Sequence, residues 1–159
     1  MSRGRSYTWE DPGALASVAV QRAGLDFLRG IADGELALPP IMATLEIVGL
    51  KFEDGTAVFE ASPQEWHYNG IGTVHGGVLS ALLDTALACA IHTTLPAGGG
   101  YTSLDLSVRF TRPATVQSGT LRAEGSVVTR GRRTATAEGR ITDNEGRIVA
   151  TATTTCLLL

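Results

Sequence analysis

One stretch, Asn69 to Ala90 (NGIGTVHGGVLSALLDTALACA), limits what this chain can fold into. A polar, glycine-rich turn runs straight into a segment that is apolar on almost every side of a helix, with one carboxylate, Asp84, inside it. A helix apolar all round has to be wrapped by other structure. An ionised carboxylate within it is costly unless it is hydrogen-bonded, paired or lining a cavity. The pattern predicts a helix from about Gly76 to Thr94, ending before Pro96 and the run Gly98-Gly99-Gly100. Its start at Gly76-Gly77 presents free backbone N–H groups and the positive end of the helix dipole, which can hold an oxyanion or polarise a carbonyl. A single segment therefore offers an oxyanion site and a candidate base or nucleophile.

The rest of the chain supplies the wrapping. After the helix, Leu104, Leu106, Val108 and Phe110 alternate with Ser103, Asp105, Ser107 and Arg109, the period of a strand with one inward face. Three more strand patterns follow, Gly119–Thr129, Arg132–Thr142 and Arg147–Leu158, rich in threonine and valine and separated by glycine-containing turns. Before the helix, Ala43 to Phe52 and Thr56 to Ser62 read as two strands joined at Glu53-Asp54-Gly55, and Pro63 to Val74 as a loop. Asp11-Pro12 opens a modest helix over about Gly13 to Gly30, residues 1–10 read as frayed, and Pro39-Pro40 breaks the chain. Short connections imply antiparallel pairing. The expected class is α+β: an antiparallel sheet curled around one long central helix over residues 39–159, with an extra helix in an N-terminal extension, residues 1–38.

Composition excludes several classes. At 159 residues the chain suits one domain with a real core. A net charge of −3 and a pI near 5.6 give no case for nucleic-acid binding. No apolar run reaches the roughly 18–20 residues of a membrane span. The N-terminus carries no apolar signal core, so a cytoplasmic location is expected. Cys89 and Cys156 do not make a disulfide framework and read as reduced core residues. His67 and His92 lack metal-ligand partners at recognisable spacing; both read as structural, and no metal is expected.

Asn69, the His75-Gly76-Gly77 triplet, Asp84 within LLDTA and Ser103 within TSLDLSV together resemble the PaaI-like hotdog thioesterases, over about Pro39 to the C-terminus. The resemblance implies hydrolysis of an acyl-CoA thioester with no cofactor beyond the coenzyme A of the substrate. It casts Asp84 as nucleophile or general base and the Gly76 N–H as the group that polarises the thioester carbonyl. Asn69 would orient water or the thioester, and Ser103 would be a second water-positioning hydroxyl. An enoyl-thioester hydratase or dehydratase and a non-catalytic acyl-CoA-binding protein are the rival readings. The first would carry a catalytic histidine in a distinct motif that is not found here. The second would normally carry a regulatory domain.

Geometry adds a point independent of the resemblance. Gly76 and Asp84 are eight residues apart, about 12 Å along a helix. They cannot reach one carbonyl carbon from one chain. A shared site needs two antiparallel helices related by a two-fold axis, hence a homodimer with two composite sites, or a dimer of dimers. His75 is expected to orient the helix entry, with Gly77, Leu83 and Thr85 beside the substrate. The acyl group is expected between subunits, against Leu79, Leu83 and Leu87. Arg130, Arg132 and Arg133 flank a glycine turn; they read either as a solvated hairpin tip or as contacts to the CoA phosphates, with Arg109 and Arg112 as alternatives.

Overall fold

The computed structural model describes residues 1–159. Three short helices come first: α1 (Pro12–Ala19), α2 (Gly24–Ala32) and α3 (Pro40–Leu45). Strands β1 (Ile47–Glu53) and β2 (Thr56–Ala61) form a hairpin, and the central helix α4 spans Gly76–His92. Strands β3 (Tyr101–Phe110), β4 (Leu121–Arg130), β5 (Thr134–Thr142) and β6 (Ile148–Leu158) complete one six-stranded antiparallel sheet in the order β1-β2-β4-β5-β6-β3. Helix α4 packs across the inner face of this sheet and touches all six strands.

The sheet can approach α4 closely because its inward positions are small. Ala57, Ala61, Ala123, Ala135, Ala137, Ala150 and Ala152 all point inward and are buried. At Gly125 a Cβ would stand 2.4 Å from the carbonyl oxygen of Ala86, so only glycine fits under the helix there. The volume is filled from the helix side by Leu82, Leu83, Leu87 and Ile91, all sealed from solvent. Each such side chain contributes on the order of 1.5–3 kcal/mol of transfer free energy.

The structure corrects several expectations at the N-terminal side. The helix expected over Gly13 to Gly30 is two helices. The chain turns after α1 because Val20 C=O accepts from Gly98 N–H (3.0 Å) and Gly24 N–H donates to Leu95 C=O (3.0 Å), tertiary bonds that outweigh local helix propensity. Phe27, Leu28 and Ile31 of α2 join the same 27-residue core as the sheet and α4. Pro40 occupies the first turn of α3, where its missing N–H costs nothing, so residues 43–45 are helical rather than strand. Glu46, at φ 55°, ends that helix in the left-handed region and releases β1. Residues near Arg5 are docked rather than frayed. Its guanidinium donates to Thr44 C=O (2.7 Å) and Ala43 C=O (3.0 Å) and lies over the rings of Tyr7 and Trp66.

The most consequential correction concerns β3. Strict alternation would put Leu104 inward and Ser103 outward. The register with β6 instead shifts between Ser103 and Asp105, a bulge that reverses the phase at the start of the strand. Leu104 is left 58% exposed, and Ser103 turns toward α4. β3 is also an edge strand, ten residues long. The other edge, β1, is packed against α2. No helix is long and apolar enough to cross a membrane.

Candidate active site

A cavity of about 520 Å³ lies at the seam where the two edges of the curled sheet approach each other without meeting. Gly49, Phe52 and Phe59 wall it from β1 and β2, Tyr101, Thr102 and Ser103 from β3, and the N-terminal helices roof it. Its floor is one stripe of α4: Asp84, Thr85, Ala88, Cys89 and His92. Asp84 is the only carboxylate in the lining. A larger, polar groove of about 1000 Å³ crosses the outer face of the sheet near Arg109, Glu124, Glu138 and Arg140. It lies on the opposite side of the sheet from Asp84, so the chemistry belongs to the smaller cavity.

Asp84 is half-buried, and its Oδ1 accepts from the Ser103 hydroxyl at 3.1 Å. The bulge in β3 makes this contact possible. Ser103 Oγ also lies 3.8 Å from Cys156 Sγ, so the serine is held between the carboxylate and a buried thiol. Burial and the nearby Asp84 charge push the Cys89 thiol up to about 12, and burial raises Cys156 and Tyr101 as well. At neutral pH these three groups are therefore uncharged neighbours of the carboxylate. Thr85 is half-buried and spends its hydroxyl on Ala81 C=O (2.8 Å).

His75 stands at the entry of α4. It is the N-cap, and its Nδ1 accepts from Gly77 N–H at 2.8 Å. Its own N–H donates to His67 C=O (2.8 Å). Capping consumes the Gly77 N–H, and the next two N–H groups, of Val78 and Leu79, donate to His75 C=O. The Gly76 N–H alone in this first turn has no partner. The Phe110 ring covers Gly76, close enough that an added Cβ would meet Cζ at 3.0 Å. Asn69 is committed locally: its Oδ1 accepts from Ile71 N–H (3.0 Å) and Thr73 N–H (3.2 Å), and its Nδ2 donates to the Thr73 hydroxyl (3.0 Å). It organises the loop that leads into α4.

Other expectations fall differently. Leu83 is 0% exposed and, with Leu79 and Leu87, faces the sheet, not the cavity. None of these three leucines lines the cavity. His92, read from sequence as merely structural, lines the cavity. Arg130, Arg132 and Arg133 are exposed at the β4–β5 turn and form no ion pair. The register Ala135–Cys156–Ser103 places Ala135, just past that turn, two strands from Ser103, about 10 Å. The cavity walls contributed by Phe27, Phe52 and Phe59 carried no recognisable signal in sequence, because which apolar side chains border a void depends on the packing of distant segments.

This arrangement, a histidine-capped central helix that starts on two glycines and lies inside a curled antiparallel sheet with one carboxylate at a cavity, defines a hotdog-fold protein. The chain belongs to the thioesterase superfamily, whose family model matches residues 71–150, and within it to the PaaI-like members. A phenylacetic acid degradation-related protein from Ralstonia eutropha is 31% identical, with 82% of this chain and 98% of that one covered and a TM-score of 0.75. A mutant form of the phenylacetic acid degradation protein PaaI from Thermus thermophilus is 32% identical over 75% of this chain and 98% of that one, with a TM-score of 0.68. A curated relative from Halobacterium salinarum, named as an esterase, is 39% identical over 74 residues, which is 45% of this chain. That match spans about half of the relative's length, 47%.

Proposed function

We propose that this protein is an acyl-CoA thioesterase that hydrolyses its substrate at a site shared by two subunits. The observation that carries the reading is Asp84, the one carboxylate of an otherwise largely apolar cavity, held by Ser103 and sitting half-buried at its border. A carboxylate there can activate water or attack the thioester carbonyl. The unpartnered Gly76 N–H and the dipole of α4 supply the oxyanion donor. Carboxylate, N–H and water suffice for hydrolysis, so the reaction needs no cofactor.

The edge strand supports the shared site. β3 runs antiparallel to α4, with Ser103 against Asp84 and Phe110 against Gly76. Pairing of β3 with its own copy about a two-fold axis near Leu106 and Ser107 would set Ser103 close to the partner's Phe110. Asp84 would then approach Gly76 of the partner subunit, which the 12 Å separation within one chain forbids. Leu104 and Phe110, 58% and 53% exposed on this unpaired edge, are the side chains such pairing would cover. Arg130, Arg132 and Arg133, exposed and without an ion-pair partner on the same turn, are the groups to receive the CoA phosphates. Asn69 acts as a positioning residue for the loop before Gly76.

Release of thiol from a panel of acyl-CoAs, measured beside hydration of enoyl-CoA, separates thioesterase from hydratase; thiol release is expected and enoyl hydration is not. The shared site has its own test. Gly76→Pro deletes the N–H at the first helical position, where proline is tolerated, and His75 already has the extended backbone (φ −61°, ψ 135°) that a following proline requires. Gly76→Pro and Asp84→Asn homodimers should each be nearly inactive. After verified subunit exchange of equal amounts, about half of the dimers are mixed and each holds one intact site, so about a quarter of wild-type activity should return. No recovery would reject the shared site.

A further inference from the structure

We propose that Arg5, on the N-terminal arm, is a positioning residue for the Gly76 N–H: it clamps the loop that delivers this group to the thioester carbonyl. The inference rests on the thioesterase reading and adds to it a residue far from the central helix in sequence. Residues 1–11 form no helix or strand, yet the Arg5 side chain is only 20% exposed. Its guanidinium lies over two rings, 4.6 Å from the centroid of Tyr7 and 4.9 Å from that of Trp66. Along its edge it donates to Thr44 C=O (2.7 Å) and Ala43 C=O (3.0 Å) and pairs with Glu46 at 3.3 Å.

The anchor of this clamp is α3. The chain leaves that helix at Glu46 in the left-handed region, so its last carbonyls have no following turn to donate to them. The fork of Arg5 takes two of these carbonyls, while its flat face stacks on the aromatic rings. Only a planar guanidinium does both at once. Met42 of α3 is buried in the core, which fixes the helix to the body of the domain. Arg5 thus ties Trp66 to a point that does not move. Arg3 pairs with Glu65 at 2.8 Å, but both side chains are mostly exposed, and such a pair holds little.

Trp66 is the middle residue of a tight turn, Glu65–His67. That turn is stiff. His67 is buried, its ring stands edge-on to Trp66 (5.9 Å between centroids), and its Nδ1 accepts from Gln64 N–H (3.1 Å). His67 C=O accepts the His75 N–H (2.8 Å), the last backbone bond before Gly76. The Gly76 N–H has no partner, so its place is inherited from His75. A donor has to stand about 2.7–3.1 Å from the developing oxyanion. A misplacement of about 1 Å can cost on the order of a hundredfold. Val74 N–H is held separately by Ala114 C=O (2.8 Å), so release of the arm should shift the loop and not unfold it. In the shared site, the arm of one subunit sets the donor that serves Asp84 of the partner subunit.

The test is a double-mutant cycle in the whole chain, with the acyl-CoA that the wild type hydrolyses fastest. Deleting an oxyanion donor costs roughly a hundredfold or more; a displaced donor should cost less, so Arg5→Ala should lower kcat about tenfold. KM and the thermal midpoint should stay close to those of the wild type. Arg3→Ala should leave kcat unchanged. In the Gly76→Pro background, Arg5→Ala should cost nothing further, because the group it positions is already gone. A merely structural arm would lower the rate equally in both backgrounds. Trp66→Leu removes the other half of the contact and should repeat both results. A second readout needs no turnover: the Gly76 amide resonance of nitrogen-15-labelled protein should move in Arg5→Ala and stay in place in Arg3→Ala. Unchanged kcat in Arg5→Ala, an equal loss in the Gly76→Pro background, or a Gly76 amide that does not move overturns the proposal and leaves the thioesterase reading intact. If the wild type hydrolyses no thioester, that reading falls and the amide resonance alone decides the clamp: movement supports it and no movement rejects it.

Discussion

Where the sheet lies against α4, Leu82, Leu83, Leu87 and Ile91 are sealed from solvent. Elsewhere on the helix, Asp84, Thr85, Cys89 and His92 border an open cavity under the N-terminal helices. The sealed positions are leucine and isoleucine, whereas the cavity positions include Asp84, Thr85 and His92, and the opposing surface differs as well. A pleated sheet with small inward residues conforms closely to the helix. Three short helices laid across the seam of that sheet do not, and the mismatch leaves a void. The closed face therefore provides stability and the open face chemistry. A polar residue is tolerated in such a helix only where no sheet opposes it.

Substitutions on the two faces should separate these roles. The largest effect is expected on the open face. Asp84→Asn keeps the shape and an oxygen for Ser103 but removes the charge, so kcat should fall at least about a hundredfold. The melting temperature should stay near that of the wild type. Near-wild-type turnover would reject the assignment. On the closed face, Leu83→Ala should do the reverse, costing ~2–5 kcal/mol in denaturant unfolding. Activity per folded molecule should be largely kept. A catalytic loss from Leu83→Ala in fully folded protein would erase the distinction between the faces.

Gly24→Ala probes the roof. The added carbon must push α2 away from His92, at a cost of ~1–3 kcal/mol for overpacking. Protease sensitivity should rise first near α2, while the sheet stays protected in hydrogen exchange. Uniform loss of protection would mean that roof and core unfold as one unit.

The smallest effect is expected from pH. Burial depresses the pKa values of both His67 and His92 below their ordinary 6.5. For His67 a smaller upward influence of Glu46 and a downward one of Arg5 follow. The unfolded chain then binds protons that the folded protein refuses, so their contribution to stability is complete above about 6.5 and is lost as pH falls below it. Thermal midpoints should decline on acidification through that window. The decline should be shallower in His67→Gln and in His92→Phe, and an unchanged slope in both would show that these histidines do not couple to folding.

Much of this protein was legible in its residues one segment at a time. The central helix was, because Gly76 to His92 is apolar on every side and bounded by a capping histidine and, beyond its end, Pro96 and three glycines. The sheet was, because its strands carry a period of two and are separated by turn residues. The separation of Gly76 and Asp84 was too, since helix rise is fixed. The tertiary structure alone decided the phase of β3, where one bulge turns Ser103 inward and Leu104 outward against the alternation. It also decided that α1 and α2 separate, because their break is held by bonds to Leu95 and Gly98, far along the chain. And it decided which stripe of α4 faces the cavity. Periodicity reports that a side chain wants burial, but not whether a flat sheet or a gap will stand opposite it. That is settled only when segments distant in sequence are packed together, and so His92 reads as an ordinary core residue until the structure places it in the lining of a cavity.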